Sequence, residues 1–388
     1  MSRVLMISSL WPPATLGGAE LYAARLAAEL RRRGHDVGVV TAGVSGDDVV
    51  EAVRPWPYRL DAWVGQPRWR RVAFHAMDVY RPAGGRAVRE AIERFAPDVV
   101  HSHAVQGLSV AALRQPARLG VPHVHTVHDY WLRCQRTTLR HRGGRRCRRC
   151  SPCRLLAALR STALARCGPG VLVAPSVAVA ELHTGDLARR IRVIRHPATR
   201  EAPGGRSRRG PGPGVFGYLG QLTDVKGVPT LLRAFATVAA AQRPGGRPLR
   251  LLVGGVGPLA DEVARHHDVG IEALGWLDAA ARERFFRCID WLVVPSEWDE
   301  PAGLVVTEAA ARGIPVVGAE IGGIPEYVAP ASRHLLFRAG DVASLADAMR
   351  RAMAAADRPV RDDVEHLATW PQHGAEVIRA YRAAGALI

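Results

Sequence analysis

Asparagine does not occur in the 388 residues, and lysine occurs once, at Lys226. Arginine therefore carries almost all of the basic charge, 53 Lys+Arg against 36 Asp+Glu, for a formal net charge of +17. Losing both residue types together is what a GC-rich coding bias produces, so the surplus does not by itself specify a nucleic acid or a membrane as partner. It still draws anionic ligands and lipid head groups in a salt-dependent way. No apolar run approaches the length of a membrane span. The short run Val4 to Leu10 leads into Pro12-Pro13 and Gly17-Gly18, which suits a first buried strand better than a signal-peptide core. The expected location is the cytoplasm, with a peripheral position at the inner membrane face left open. Six cysteines in such a chain are not expected to pair as disulfides.

At 48% apolar, the chain is long enough for two α/β domains, each with its own core. Short apolar runs alternate with helical patterns: Val4 to Leu10, Asp36 to Val40, Asp98 to His101, His123 to Thr126, Val171 to Ala174 and Ile191 to Ile194. Alternation of this kind predicts a parallel sheet covered by helices. Residues 199–214 are mostly Arg, Gly and Pro and read as a linker. A second alternation follows in Val215 to Leu219, Leu249 to Val253, Ile271 to Leu274, Trp291 to Val294, Val316 to Ala319 and Leu335 to Phe337. The expected division is a domain at 1–198, the linker at 199–214, a second domain at 215–370 and a terminal helix at 371–388.

One stretch, Ser296 to Gly313, organises the rest. The apolar Trp291 to Pro295 before it reads as a strand, and Gly313 with Pro315 as a helix stop, so a helix is expected over roughly Gly303 to Arg312. Backbone N–H groups of its first turn, near Ala302, Gly303, Leu304 and Val305, can face a phosphate. Glu300 falls in the loop and Glu308 in the helix. Carboxylates touching a diphosphate would repel it, so their expected partners are hydroxyls on either side. Ribose, diphosphate and sugar in a row is the shape of a nucleotide sugar. The bland alternative is a solvated acid pair on an ordinary βα unit. Lys226 lies in a second strand-to-helix loop, Gly220 to Gly227, where a compact ammonium suits phosphate oxygens. Gly17-Gly18 and Gly254-Gly-Val-Gly257 are weaker signals of close backbone approach to a ligand.

The string Glu300-Pro-Ala-Gly-Leu-Val-Val-Thr-Glu308, with Gly322-Gly-Ile-Pro-Glu326 and Gly17-Gly-Ala-Glu20, resembles the signature of the retaining family 4 glycosyltransferases. The resemblance implies an α/β GT-B fold, two Rossmann-like domains facing across a cleft, with the last helix crossing back to the first domain. It implies the donor on the C-terminal domain, the acceptor on the N-terminal one, and no cofactor or metal required for catalysis. The first Glu of the motif, Glu300, would lie at the donor sugar and the second, Glu308, at the ribose. His128, in a His-Asp element after the fourth strand, would lie beside the donor sugar. Lys226 would face the diphosphate, with Gln221 standing where the family has arginine. Gly257, Trp276 and Leu277 belong to the corresponding donor-domain loops, the last two at the base. Pro301-Ala302 replaces the usual aromatic after the first Glu. Departure of the nucleoside diphosphate with front-side attack by an acceptor hydroxyl is the mechanism so implied. Envelope glycan, lipid and small natural product remain open as acceptors, and a GT-B sugar-nucleotide epimerase or phosphorylase is an alternative enzyme.

Two features stand outside that frame. Trp56, Trp63 and Trp69 are interleaved with Arg54, Arg59, Arg68, Arg70 and Arg71, a mixture that suits sugar stacking, a membrane interface or simple packing. Cys134, Cys147, Cys150 and Cys153, with His141 to spare, have spacings that could close a structural Zn²⁺ site, or could equally be free thiols among arginines. Together with the charge, that cluster raises a rival reading, a basic zinc-containing nucleic-acid-binding protein. It leaves Lys226, Glu300 and Glu308 unexplained, and no nucleic acid is expected as partner.

Overall fold

The computed structural model describes residues 1–15, 17–43, 45–63, 65–140, 147, 151–165, 167–183, 188–198, 214–242, 249–355 and 366–388. The chain forms two compact units. The first holds Met1–Leu139, Arg148–Arg195 and Trp370–Ile388; the second holds Arg140–Cys147 and His196–Thr369.

Seven parallel strands make the sheet of the first unit: β1 (Arg3–Ile7), β2 (Asp36–Ala42), β3 (Val49–Val53), β4 (Val99–Ser102), β5 (His123–Thr126), β6 (Val171–Ala174) and β7 (Ile191–Val193). Their spatial order is β3-β2-β1-β4-β5-β6-β7. Val4, Leu5, Met6 and Ile7 of β1 are all fully buried, as a strand covered on both faces must be. The helices are α1 (Gly18–Arg32), α2 (Arg68–Met77), α3 (Pro82–Phe95), α4 (Ser109–Leu113), α5 (Gln115–Arg118), α6 (Ser151–Ala165) and α7 (Val177–Leu182). In α1, Tyr22, Leu26 and Leu30 recur every four residues and are buried. Truncating Leu26 to alanine would cost about 2–5 kcal/mol. The helix starts where Glu20 accepts from the backbone N–H of Gly17 (3.0 Å) and stops at Gly34, whose φ is +85°.

The sheet of the second unit has five parallel strands, β8 (Val215–Leu219), β9 (Arg250–Gly254), β10 (Ile271–Gly275), β11 (Trp291–Val294) and β12 (Val316–Gly318), in the order β10-β9-β8-β11-β12. Its helices are α8 (Val228–Ala240), α9 (Ala260–Ala264), α10 (Ala279–Cys288), α11 (Leu304–Ala310), α12 (Ile324–Tyr327) and α13 (Val342–Ala354). The last helix, α14 (Trp370–Ala383), packs in the first unit. There His373 hydrogen-bonds the Tyr22 hydroxyl at 2.7 Å, and the Tyr381 hydroxyl hydrogen-bonds His101 at 2.8 Å.

Both sheets reverse their strand order once, between β1 and β4 and between β8 and β11. Loops leaving the carboxyl ends of the two central strands diverge there and leave room for a ligand. Two details depart from expectation. Strand β3 has no counterpart in the apolar pattern, being a partly exposed edge strand. Conversely, Leu335 to Phe337 is no strand: Pro330–Leu335 winds as a 3₁₀ turn, and only Phe337 makes a single parallel bridge, to Ala319. Proline and the turn consume the residues a ladder would need. Residues 199–213 of the expected linker lie outside those described. Among the described residues no helix is long and apolar enough to cross a membrane.

Candidate active site

At the reversal point of the second unit, the loop after β8 and the loop after β11 meet. Glu297 donates its backbone N–H to Val225 O (2.9 Å) and accepts from the Thr230 hydroxyl (2.6 Å), which docks the second loop on the first. Gly227, at the start of α8 with φ +73°, lies so close to Pro295 that a Cβ would sit 1.7 Å from its carbonyl oxygen. Only glycine permits that approach. The contact brings Lys226 onto Glu300, 74 positions away in sequence: the ammonium donates to both carboxylate oxygens, at 2.7 and 2.9 Å. Oε2 of Glu300 also accepts from the Ser296 hydroxyl (2.9 Å) and the Trp298 indole N–H (2.7 Å). The ammonium lies 5.1 Å from the Trp298 ring centroid. Behind the loop, Gly322 packs against the Glu300 backbone where a Cβ would be 2.5 Å from its nitrogen, and Gly323 N–H donates to Glu300 O at 2.7 Å.

Glu300 was expected at a sugar and Lys226 at a phosphate. The structure joins them as an ion pair, with side chains 13% and 23% exposed. Among the described residues, Oε2 accepts from three donors and Oε1 from Lys226 alone; the third N–H of the ammonium is not used on the carboxylate.

Glu308 lies on α11, a helix of seven residues that begins after Gly303 (φ +68°), with Ala302 buried and Leu304 half-buried. Its carboxylate also has a cationic partner, one that the sequence did not suggest. Arg282 of α10 donates Nε (3.0 Å) and Nη2 to the same oxygen, Oε2. Gln221 is exposed after β8, its carbonyl accepting from the Tyr218 hydroxyl (2.7 Å), which burial and nearby Glu300 push upward in pKa. Gly257 packs on the backbone of Leu222, where a Cβ would meet its carbonyl oxygen at 2.4 Å. Trp276 is 68% exposed, while Leu277 packs on the core.

Gly17, Gly18 and His128 belong to the first unit. Here α1 and the ends of β4 and β5 converge: His128 Nε2 is 3.1 Å from His103 Nδ1, and the Tyr22 ring lies edge-on to His128 at 5.1 Å. A pocket at this point is lined by His103, Gln106, His125, His128, Asp129 and Trp131. Burial first, then the neighbouring His125, pulls His128 down to about 3, so its ring is neutral at ordinary pH. Burial raises Asp129 to about 6, opposed by the backbone N–H of Trp131 and the amide of Gln106, which donate to it at 2.7 and 2.5 Å. His103, unremarked in the sequence, is thus the immediate partner of His128.

Cys134 is buried, and Cys147 and Cys153 are half-buried. Among the described residues no three His, Cys, Asp or Glu side chains are grouped to hold a metal ion; Cys150 and His141 lie outside those residues.

Comparison with known proteins bears on the family and the fold. The family profile described as Glycosyltransferase Family 4 matches residues 16–200, and that described as Glycosyl transferases group 1 matches residues 213–355. A glycogen synthase of Mycobacterium tuberculosis is 29% identical over 98% of this chain and 95% of its own. A D-inositol 3-phosphate glycosyltransferase of Stackebrandtia nassauensis is 34% identical, over 43% of this chain and 41% of its own. Among solved structures, sucrose-phosphate synthase from Thermosynechococcus elongatus superposes with a TM-score of 0.73 at 19% identity, covering 100% of both chains. Anabaena HepE in complex with UDP and glucose gives 0.67 at 17% identity, over 99% of this chain and 100% of its own. These likenesses establish the fold.

Proposed function

Because this chain belongs to the family 4 glycosyltransferases, enzymes of GT-B fold that move a glycosyl group from a nucleotide sugar, we propose that its second unit holds the donor along the line Glu300, Lys226, Glu308. The observation that carries this reading is the Lys226–Glu300 pair at the reversal point of the second sheet. The pair enters the site with no net charge, so a diphosphate meets the uncommitted N–H of the ammonium without facing a bare carboxylate. Oε1 of Glu300 has room to accept a sugar hydroxyl, which sets the anomeric carbon relative to the phosphate. As the sugar–phosphate bond breaks, negative charge grows on the diphosphate, and Lys226, held in place by Glu300 and Trp298, stabilises it without reorganising. Glu308 receives the ribose hydroxyls, and exposed Trp276 offers a ring face to the base. Transfer with retention of configuration, by front-side attack of the acceptor hydroxyl, follows from the family resemblance.

UDP-glucose, the ligand of a solved complex of HepE, is the first donor to test, beside ADP- and GDP-sugars. Slow hydrolysis of one donor in the absence of acceptor, abolished in Lys226→Ala, is the expected result; equal hydrolysis by the variant would refute the donor site. Acceptors then follow with the preferred donor.

A second surface bears on the acceptor side. Of the exposed tryptophans in the described residues, Trp56, Trp63 and Trp69 fall within one short stretch of sequence, and Trp69, Val72 and Ala76 share one outward face of α2. With arginines 59, 68, 70 and 71 around them, these side chains suit the interface of an anionic lipid surface, apolar rings inward and guanidinium groups at head-group level. A peripheral membrane position is the reading this patch supports.

A further inference from the structure

Two carboxylates near one diphosphate pose an electrostatic difficulty, and the structure resolves it twice in the same way. Glu300 is neutralised by Lys226 and Glu308 by Arg282. Arg282 is placed with care. Asp278 caps α10, its side chain accepting from Ala281 N–H at 2.7 Å, and the Arg282 N–H donates to Asp278 O at 2.8 Å. The next residue, Glu283, pairs with Arg312, whose guanidinium also donates to Glu308 O (2.9 Å) and stacks 4.7 Å from the Phe286 ring centroid. Two rungs, 282 to 308 and 283 to 312, therefore tie α10 to α11 and to the turn that follows it.

The first rung is asymmetric in a way the second is not. Arg282 directs both Nε and Nη2 at Oε2 of Glu308, while Oε1 takes no bond from the Arg282 guanidinium. A carboxylate oxygen can accept two hydrogen bonds, so Oε1 alone suffices for two vicinal hydroxyls. Building on the assignment of Glu308 to the ribose, we propose that Arg282 is the positioning residue for the nucleoside end of the donor. It holds Oε2 so that Oε1 is presented to the ribose. Removing it frees the carboxylate to rotate, so binding weakens through the ribose contact.

The test is direct binding by calorimetry. UDP and ADP, each with its 2′,3′-dideoxy counterpart, are titrated into wild type, Arg282→Leu and Arg282→Gln, and the ribonucleotide that binds wild type more tightly is followed. Wild type is expected to lose about tenfold in affinity on removal of the two hydroxyls. Arg282→Leu is expected to bind the ribonucleotide about tenfold more weakly, yet to differ from wild type by less than about threefold with the dideoxynucleotide. Arg282→Gln, keeping an N–H donor without the charge, should fall between, and stands in for the leucine variant if that does not fold. A penalty of equal size on both nucleotides would make Arg282 a mere brace between helices and overturn the proposal. Tighter binding by Arg282→Leu would make it a competitor for the ribose position, and overturn it too. If wild type itself is indifferent to the hydroxyls, the Glu308 assignment fails first, and that result is distinct from the other two.

Discussion

Replacing Lys226 with methionine keeps an unbranched apolar stem and deletes the ammonium, which isolates what the charge does. Glu300 then loses two of the hydrogen bonds on its carboxylate, and keeps those from Ser296 and Trp298. With the pair 13% and 23% exposed, the carboxylate left behind is poorly hydrated. Removing one partner of a fully buried pair costs about 3–5 kcal/mol, so this partly buried one should cost about 2. For a domain of this size that is about 4–8 °C in Tm. Turnover should suffer more: loss of one preorganised electrostatic donor at a leaving group is worth about a hundredfold in kcat. The cycle closes with Glu300→Gln and the double variant. Because the two groups touch, their stability effects should be non-additive by about 1–2 kcal/mol. The kcat of the double variant should lie within about threefold of Lys226→Met alone, since Glu300 then has no ammonium to hold. Thermal melts and single-turnover donor hydrolysis read both quantities. A Lys226→Met variant with a lowered Tm but a kcat within about threefold of wild type would make the pair structural and remove the leaving-group role.

Glu308→Gln should raise donor KM by about tenfold with less effect on kcat, and Glu300→Ala should strike kcat harder than KM; the reverse split would exchange their roles. Stability should fall in acid. Burial holds His123, His125 and His128 near 3 and His373 near 4, so from pH 6.5 downward the unfolded chain binds protons that the native state refuses. Each contributes a loss of about 1.4 kcal/mol per pH unit, partly offset between pH 6 and 3.8 by Asp129, whose raised pKa works the other way. Urea midpoints that are level above pH 7 and drop steeply by pH 5 are expected; equal midpoints at pH 7.5 and 5 would mean the histidines are not held neutral. Trp63→Ala with Trp69→Ala should abolish flotation with vesicles containing anionic lipid and leave donor KM unchanged. Persistent flotation would reduce that face to packing.

The doubly wound pattern was legible because strands covered on both faces are mostly apolar: β6, β8 and β11 coincide with runs visible in the sequence. Strand β3 was not, since an edge strand with one solvated face needs no such run. Glu300, Glu308 and Lys226 stood out through motif spacing and through the rarity of lysine. Their meeting, however, depends on which strands are neighbours. Only the order that sets β8 beside β11 brings two loops 74 positions apart together. Arg282 gave no signal at all, being one arginine among many in the sequence. His103 was equally silent, because its significance lies in a ring nitrogen 3.1 Å from His128 and not in any spacing along the chain.

A chain with one lysine carries a built-in counter. Reagents that acylate amines meet a single side chain here, Lys226, besides the α-amino group. That side chain lies between Glu300 and Trp298 at the reversal point of the second sheet. Each mass increment beyond the terminus therefore reports one event at Lys226 per molecule, without any engineered label. Protection of that increment by a bound nucleotide can be followed by intact-mass measurement while acceptors are still being sought.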